Sequence, residues 1–270
     1  MSVLRKIQVK GVKPILSSRI PIIIDLPKSA EKVNILLAAD MHTGSAEFSE
    51  EKWDAFEREL SKENTYVIFA GDQCEYATRT SVSDVYTQRL SPSLQKRWWV
   101  EHLEPFTDKI LCIVDGNHEY NRASKDADDF PLYDIALALG IKDKYRSEGC
   151  FVDIGVGEKC GGVKQHRYVG RVQHKATNTG NYGTADGFEG IDFFVSGHTH
   201  KPMDKPLGKM IYDGHNKIVR EKTIENMVCG HFLRFGGYGE RGGYRPASQK
   251  MYSLILSGKS KEIKTIGFHL

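Results

Sequence analysis

Four short apolar runs, each closing on polar residues, constrain this chain more than any other feature. They are NILLAAD (34–40), YVIFAGD (66–72), ILCIVDGNH (110–118) and IDFFVSGHTH (191–200). Each is apolar without alternation, the pattern of a strand buried on both faces. Their lengths and flanking glycines argue against helix fragments. Helical patterns lie between the first runs. EEKWDAFERELSKE, after Ser49, puts Trp53, Phe56 and Leu60 on one face, with Ser49 as N-cap and Glu50 and Glu51 in the first turn. SPSLQKRWWVEHLEPF (91–106) opens with Ser91 as a cap and Pro92 at the first helical position. It carries two overlapping stripes, one through Leu94, Trp98 and His102, the other through Trp99 and Leu103. FPLYDIALALG (130–140) reads as a further helix ending at Gly140.

Strand and helix thus alternate over the first 140 residues, which predicts a layered α/β architecture with mostly parallel strands. From about residue 145 the pattern shifts to strand-like runs joined by Gly-rich turns. A second, mainly antiparallel sheet is expected there, including MYSLILSGKSKEIKTIGFHL (251–270). GGYGERGGYRP (236–246) reads as a loop.

Composition narrows the class. The 270 residues suffice for one large domain, and 40% apolar with 27% charged residues is ordinary for a soluble globular protein. No apolar stretch of about 18 residues occurs, so no membrane span is expected. The first residues lack an apolar core followed by a cleavage site, so no signal peptide is expected. Cys74, Cys112, Cys150, Cys160 and Cys229 are scattered, without a C-x-x-C pair. Free thiols in a cytoplasmic protein are the expectation. A net charge of +3 neither requires nor excludes a nucleic-acid partner.

In open α/β sheets, functional groups gather at the carboxyl ends of the parallel strands. That edge collects Asp40, His42, Asp72, Asn117, His118, His198 and His200. Carboxylate and imidazole together suit divalent Mn, Fe or Zn. The set exceeds what one tetrahedral ion needs, and a carboxylate shared between two ions accounts for the surplus. Two ions about 3.5–4 Å apart are a standard device for in-line displacement at phosphorus.

Singly, D-x-H and G-D carry little information. In this order, DMH (40–42), GDQCE (71–75), GNHE (116–119), a downstream His and GHTH (197–200) resemble the motifs of the calcineurin-like metallophosphoesterase superfamily. The resemblance implies an α/β (α+β) fold, a four-layer α-β-β-α sandwich of two mixed sheets flanked by helices. It is expected as a single domain over 1–270, with a helical insertion near 77–106 and the Gly-rich loop near 236–246. It also implies two divalent metal ions, manganese foremost, with iron, zinc or nickel accepted. Asp40, His42 and His200 would hold the first. Asn117, His198 and the downstream His would hold the second, with Asp72 bridging. His174 and His166 are both candidates for the downstream His. His174 ends the strand-like HRYVGRVQH and His166 begins it, so strand geometry favours His174. By the same resemblance His118 sits beside the scissile ester and protonates the leaving oxygen, and Glu75 orients it.

The implied reaction is attack of a metal-bridging hydroxide on a phosphate ester. Protein Ser/Thr phosphatases of the superfamily carry an Arg where this chain has Tyr76, so that clamp is missing. Arg122 is the candidate replacement. The two-His GHxH pattern suits a phosphodiester, from nucleic acid or a nucleotide. In FLRFGGYGERGGYRPASQK (232–250), Arg241 and Tyr244 are candidate contacts by charge and stacking. No membrane partner is expected. The competing readings are a phosphomonoesterase and a metal-binding scaffold without catalysis. Filled ligand positions and an intact His118 speak against the scaffold.

Overall fold

The apolar runs become strands because each lies between two cores. The computed structural model describes residues 18–81, 85–158, 165–175 and 184–270. The first strands are β1 (Ile22–Asp25), β2 (Lys32–Ala38), β3 (Thr65–Ala70), β4 (Ile110–Val114) and β5 (Tyr145–Arg146). Then come β6 (Cys150–Val156), β7 (His166–Val172), β8 (Phe193–Ser196) and β9 (Met203–Asp204). The last are β10 (Leu207–Asp213), β11 (Ile218–Val228), β12 (Lys250–Ser257) and β13 (Ile263–His269). One sheet runs β13-β12-β2-β3-β4-β5, and the facing sheet runs β1-β6-β7-β8-β11-β10 with β9 also on β11.

Successive side chains of β2 and β3 serve opposite layers, as the pleat requires. Val33, Ile35, Leu37, Ile68 and Ala70 join the core between the sheets, with Val152, Ile154, Phe193 and Val195 opposite. Leu36, Ala38, Val67 and Phe69 face outward into a second core. Helices cover that outer face: α1 (Glu50–Ser61), α2 (Pro92–Leu103) and, after the short turn α3 (Lys125–Ala127), α4 (Pro131–Ala138). α1 starts where Ser49 accepts a hydrogen bond from the Lys52 N–H, and it buries Trp53, Phe56 and Leu60. α2 selects the Trp99–Leu103 stripe and leaves Leu94 exposed. Trp98 is the half-buried neighbour of Trp99. The outer face of the other sheet carries a smaller cluster around Phe194, Leu207 and Ile224, with Ala185 and Ile191.

The architecture is therefore two mixed sheets with helices. The expectation of a mainly antiparallel second sheet is corrected. β1–β6, β7–β8 and β8–β11 are parallel, while β6–β7, β9–β11 and β10–β11 are antiparallel. β12 and β13 also leave the second sheet for the first, where β12 lies antiparallel to β2. Six of the eight β12 residues are buried, so the strand needs cover on both faces, and a place inside the sandwich supplies it. Residues 236–246, read as a loop, contain the short helix Gly237–Arg241.

Candidate metal centre

Both sheets contribute to one polar cluster. Asp40 and His42 follow β2, and Asp72 follows β3. Asn117 and His118 follow β4, and His198 and His200 follow β8 in the facing sheet. His174 lies two residues past the end of β7, whereas His166 begins that strand at its other end. Carboxyl ends of strands from two sheets, rather than one sheet edge, therefore meet here.

The chain turns sharply at these positions. Asp40 (φ 53°), His42 (φ 50°), Asp72 (φ 55°), His198 (φ 74°) and His200 (φ 56°) all adopt left-handed backbone. Each costs about 1–2 kcal/mol for a residue with a Cβ. Strain of this kind persists where surrounding structure enforces it, as at ligand-binding sites. Gly116 permits the closest approach: a Cβ there would fall 2.0 Å from Asp72 Oδ1.

Three groups of side chains each bring their ligand atoms within 4.8 Å of one another: Asp40, His42 and His200; Asp72, His174 and His198; and His42, Glu75 and His118. His200 Nε2 is 3.4 Å from Asp40 Oδ1 and 3.1 Å from His42 Nε2. His174 Nε2 is 3.1 Å from Asp72 Oδ2 and 3.1 Å from Asn117 Oδ1. The other ring nitrogen of His174 donates to the Ala70 carbonyl at 2.8 Å, which leaves the Nε2 lone pair for a ligand. Asp40 also accepts the backbone N–H of His198 at 2.8 Å, tying the two sheets together at the cluster.

Glu75 organises the neighbouring imidazoles. Its carboxylate lies 3.1 Å from His42 Nδ1 and accepts from Arg122 at 2.7 Å. His118 Nδ1 is 3.5 Å from that carboxylate but 2.9 Å from the Glu75 carbonyl, so the backbone oxygen makes the shorter contact. The two Nδ1 atoms approach to 3.1 Å because both address Glu75. Arg122 also donates to the Glu75 carbonyl at 2.8 Å, so it is partly buried and held against Glu75. Tyr76 is buried and donates its hydroxyl to Asp129. Arg241 and Tyr244 are exposed, one ending the short helix and the other beyond it.

Glu119 is buried beneath the cluster. It accepts the backbone N–H groups of Asp72, Cys74 and Gly116 at 2.8–3.0 Å. Its role depends on backbone orientation, which no motif spells out. His231 stacks on His200 with centroids 5.3 Å apart and planes 21° apart. The rings of His118, His42, His200 and His231 thus follow one another at 4.3, 5.0 and 5.3 Å.

The electrostatics ask for a cation. Asp40 and Asp72 are 0% and 2% exposed. Among the described residues, their only ion-pair partners are histidines. Burial pushes the Asp40 carboxyl up, but His200 and His174 outweigh it and hold it below its ordinary value. Burial likewise opposes ionisation of Asp72, yet His118, His174 and His42 hold it well below. Burial works against a charged His174, but Asp72 and Asp40 raise it to about 10. Burial pushes His118 down to about 4, despite Asp72. Glu75 is held at about 2, burial being overcome chiefly by the His42 hydrogen bond. Buried carboxylates that draw a proton onto His174 fit a divalent metal, which would take the place of that proton, since isolated buried charge is costly.

The calcineurin-like phosphoesterase model matches residues 33–202. The chain belongs to this family. It is a metallophosphoesterase by that membership, a phosphoric ester hydrolase whose clusters bind divalent metal. Among solved structures it is similar to an uncharacterised protein from Streptococcus pneumoniae described as a predicted phosphoesterase. That likeness has 13% identity and a TM-score of 0.34, over 88% of this chain and 98% of that one. It is also similar to a metallophosphoesterase from Sphaerobacter thermophilus, with 13% identity and a TM-score of 0.40, over 88% of this chain and 89% of that one. No curated protein matches. As a metallophosphoesterase the chain has a phosphate ester as its substrate, and among the described residues no helix is long and apolar enough to cross a membrane.

Proposed function

We propose that the protein is a dinuclear phosphodiesterase acting on nucleic acid or a nucleotide, with manganese as the preferred metal. Asp40, His42 and His200 would hold one ion; Asn117, His174 and His198 the other; Asp72 would bridge. Two such ions supply charge withdrawal from the phosphoryl group and a nucleophile at neutral pH. The protein's own part falls to His118. Its Nδ1–H is engaged by the Glu75 carbonyl, and its Nε2 lies 3.8 Å from Asp72 Oδ2, on the cluster side. From there it delivers a proton to the leaving oxygen. Burial holds the substrate-free ring neutral, and an anionic ester beside Nε2 shifts it back towards protonation.

Arg122 carries the diester preference. A monoester dianion calls for a free guanidinium clamp. The Arg122 guanidinium beside His118 already gives one nitrogen to both the carbonyl and the carboxylate of Glu75. A monoanionic diester needs less compensation. Arg241 and Tyr244 are proposed as outer contacts for the rest of a nucleotide chain, by charge and stacking.

The test compares bis(p-nitrophenyl) phosphate with p-nitrophenyl phosphate in the presence of Mn²⁺. Faster turnover of the monoester refutes the diester preference. His118→Ala is expected to lower kcat by about 10²–10⁴-fold, the usual reach of general acid–base catalysis, with metal content unchanged. Intact diester turnover in that variant removes His118 from the mechanism.

A further inference from the structure

The end of the histidine row carries an unused donor. After β11 the chain crosses back to the first sheet, and residues 231–234 are pinned there. Phe232 N–H donates to the Asp40 carbonyl at 3.2 Å, and Ser49 N–H donates to the Phe232 carbonyl at 2.9 Å. Lys52 Nζ donates to the carbonyls of His231 and Leu233 at 3.2 and 3.0 Å. The His231 ring therefore has a fixed address, 6% exposed, against His200.

Its tautomer is fixed as well. The Leu233 N–H donates to His231 Nδ1 at 3.2 Å, so Nδ1 presents its lone pair and the proton resides on Nε2. That Nε2–H is buried and, among the described residues, has no acceptor. Buried polar groups nearly always find a partner, and one that does not calls for a specific reason. The charged and titratable groups around this ring are Lys52, His200, Asp40 and His42. Lys52 is occupied by carbonyls and Gln249. His200, which stacks on the ring, has a side chain 33% exposed.

We infer that His231 Nε2–H donates a hydrogen bond to an anionic oxygen of the bound phosphate ester, at the end of the row away from His118. The donor is neutral and pre-aimed by Leu233, and its bond forms when a shift of the flanking side chains lets a substrate oxygen reach it. It adds no charge to the site, which suits a monoanionic ester. This makes His231 a substrate-contacting residue outside the metal ligands, reached through a segment 31 residues after His200. The inference rests on the phosphoesterase reading, but it can fail separately.

His231→Phe keeps a ring against His200 and removes both nitrogens. His231→Gln restores an amide N–H near the position of Nε2. The measurements are competitive inhibition by inorganic phosphate, kcat/KM on bis(p-nitrophenyl) phosphate, metal content, and ¹⁵N NMR of the imidazole. The Phe variant is expected to weaken phosphate inhibition and kcat/KM by about 10- to 100-fold, the worth of one hydrogen bond to a charged group. Metal content stays unchanged, and Gln recovers most of the loss. In the wild type, NMR should show an unprotonated Nδ1 and an Nε2–H whose resonance shifts when phosphate is added. Unchanged phosphate inhibition in the Phe variant overturns the inference. So does a loss that follows loss of metal, a Gln variant as weak as Phe, or an Nδ1-protonated ring. If the wild type does not hydrolyse bis(p-nitrophenyl) phosphate, the phosphodiesterase reading fails, while NMR and phosphate binding still decide the role of His231.

Discussion

Replacing Glu119 by Gln removes one charge at constant volume, which isolates what the carboxylate does. Its Oε2 accepts Asp72 N–H at 3.0 Å and Gly116 N–H at 2.8 Å, and its Oε1 accepts Cys74 N–H at 3.0 Å. A glutamine has one acceptor oxygen. Placed at the Oε2 position, it keeps two bonds and turns its NH₂ against Cys74 N–H; the flipped amide loses two. In the better case one charge-assisted bond disappears, worth about 1.5–3 kcal/mol, and two others each weaken by roughly 1 kcal/mol on becoming neutral. Relief of the burial penalty and of repulsion with Asp72, which together raise Glu119 to about 7, offsets most of this, leaving a loss of about 1 kcal/mol. For a chain of this size that lowers Tm by roughly 2–4 °C. Melts followed by circular dichroism on metal-free protein test it, at a pH above the value of about 7 to which burial, with Asp72, raises Glu119. A variant melting with the wild type there would mean that the three N–H groups find other acceptors, and the bracing argument fails.

Three other perturbations follow from the structure. Gly116→Ala places a Cβ 2.0 Å from Asp72 Oδ1 and 2.4 Å from Asp72 N, so bound metal, measured by elemental analysis, should be lost. Gly140→Ala meets no atom within 4 Å and bears only the strain of φ +72°, about 1 kcal/mol, without touching metal content. Ser49→Ala removes the α1 cap that accepts Lys52 N–H, for about 1 kcal/mol and a Tm lower by roughly 2–4 °C. An unchanged melt would place the start of that helix under the control of packing alone.

Much of the framework was readable from the chain. The four apolar runs are β2, β3, β4 and β8, and their polar ends do converge, because a strand fixes the direction in which its last residues leave. Pairing was less legible. The β12 run announces burial on both faces, but that pattern is the same in either sheet, and its neighbour β2 lies more than 200 residues away. α2 presented two stripes one residue apart; both Trp98 and Trp99 reach Trp53, and packing against Phe69 selects Trp99. At the cluster, carboxylates and imidazoles in short motifs are visible as residue types. The work of Glu119 is not, since it acts through backbone N–H groups whose orientation exists only after folding. Arg122 was visible as a charge, but the Glu75 oxygens that engage it were not.

The place of β12 has a consequence for how the protein is made. β2, which leads directly to Asp40 and His42, lies between β3 and β12, and its pairs with β12 run from Leu37↔Tyr252 to Lys32↔Ser257. A ribosome adding about 5–20 residues per second needs roughly ten seconds or more between the two strands. Through that interval one flank of β2 has no strand to pair with, and the histidines of the facing sheet arrive only near the end of it. Until β12 is made that flank of β2 is an open edge, and the ligands that follow β2 gain their full support only when it is covered. Expression with excess metal in the medium should therefore raise the loaded fraction of finished protein without hastening its folding.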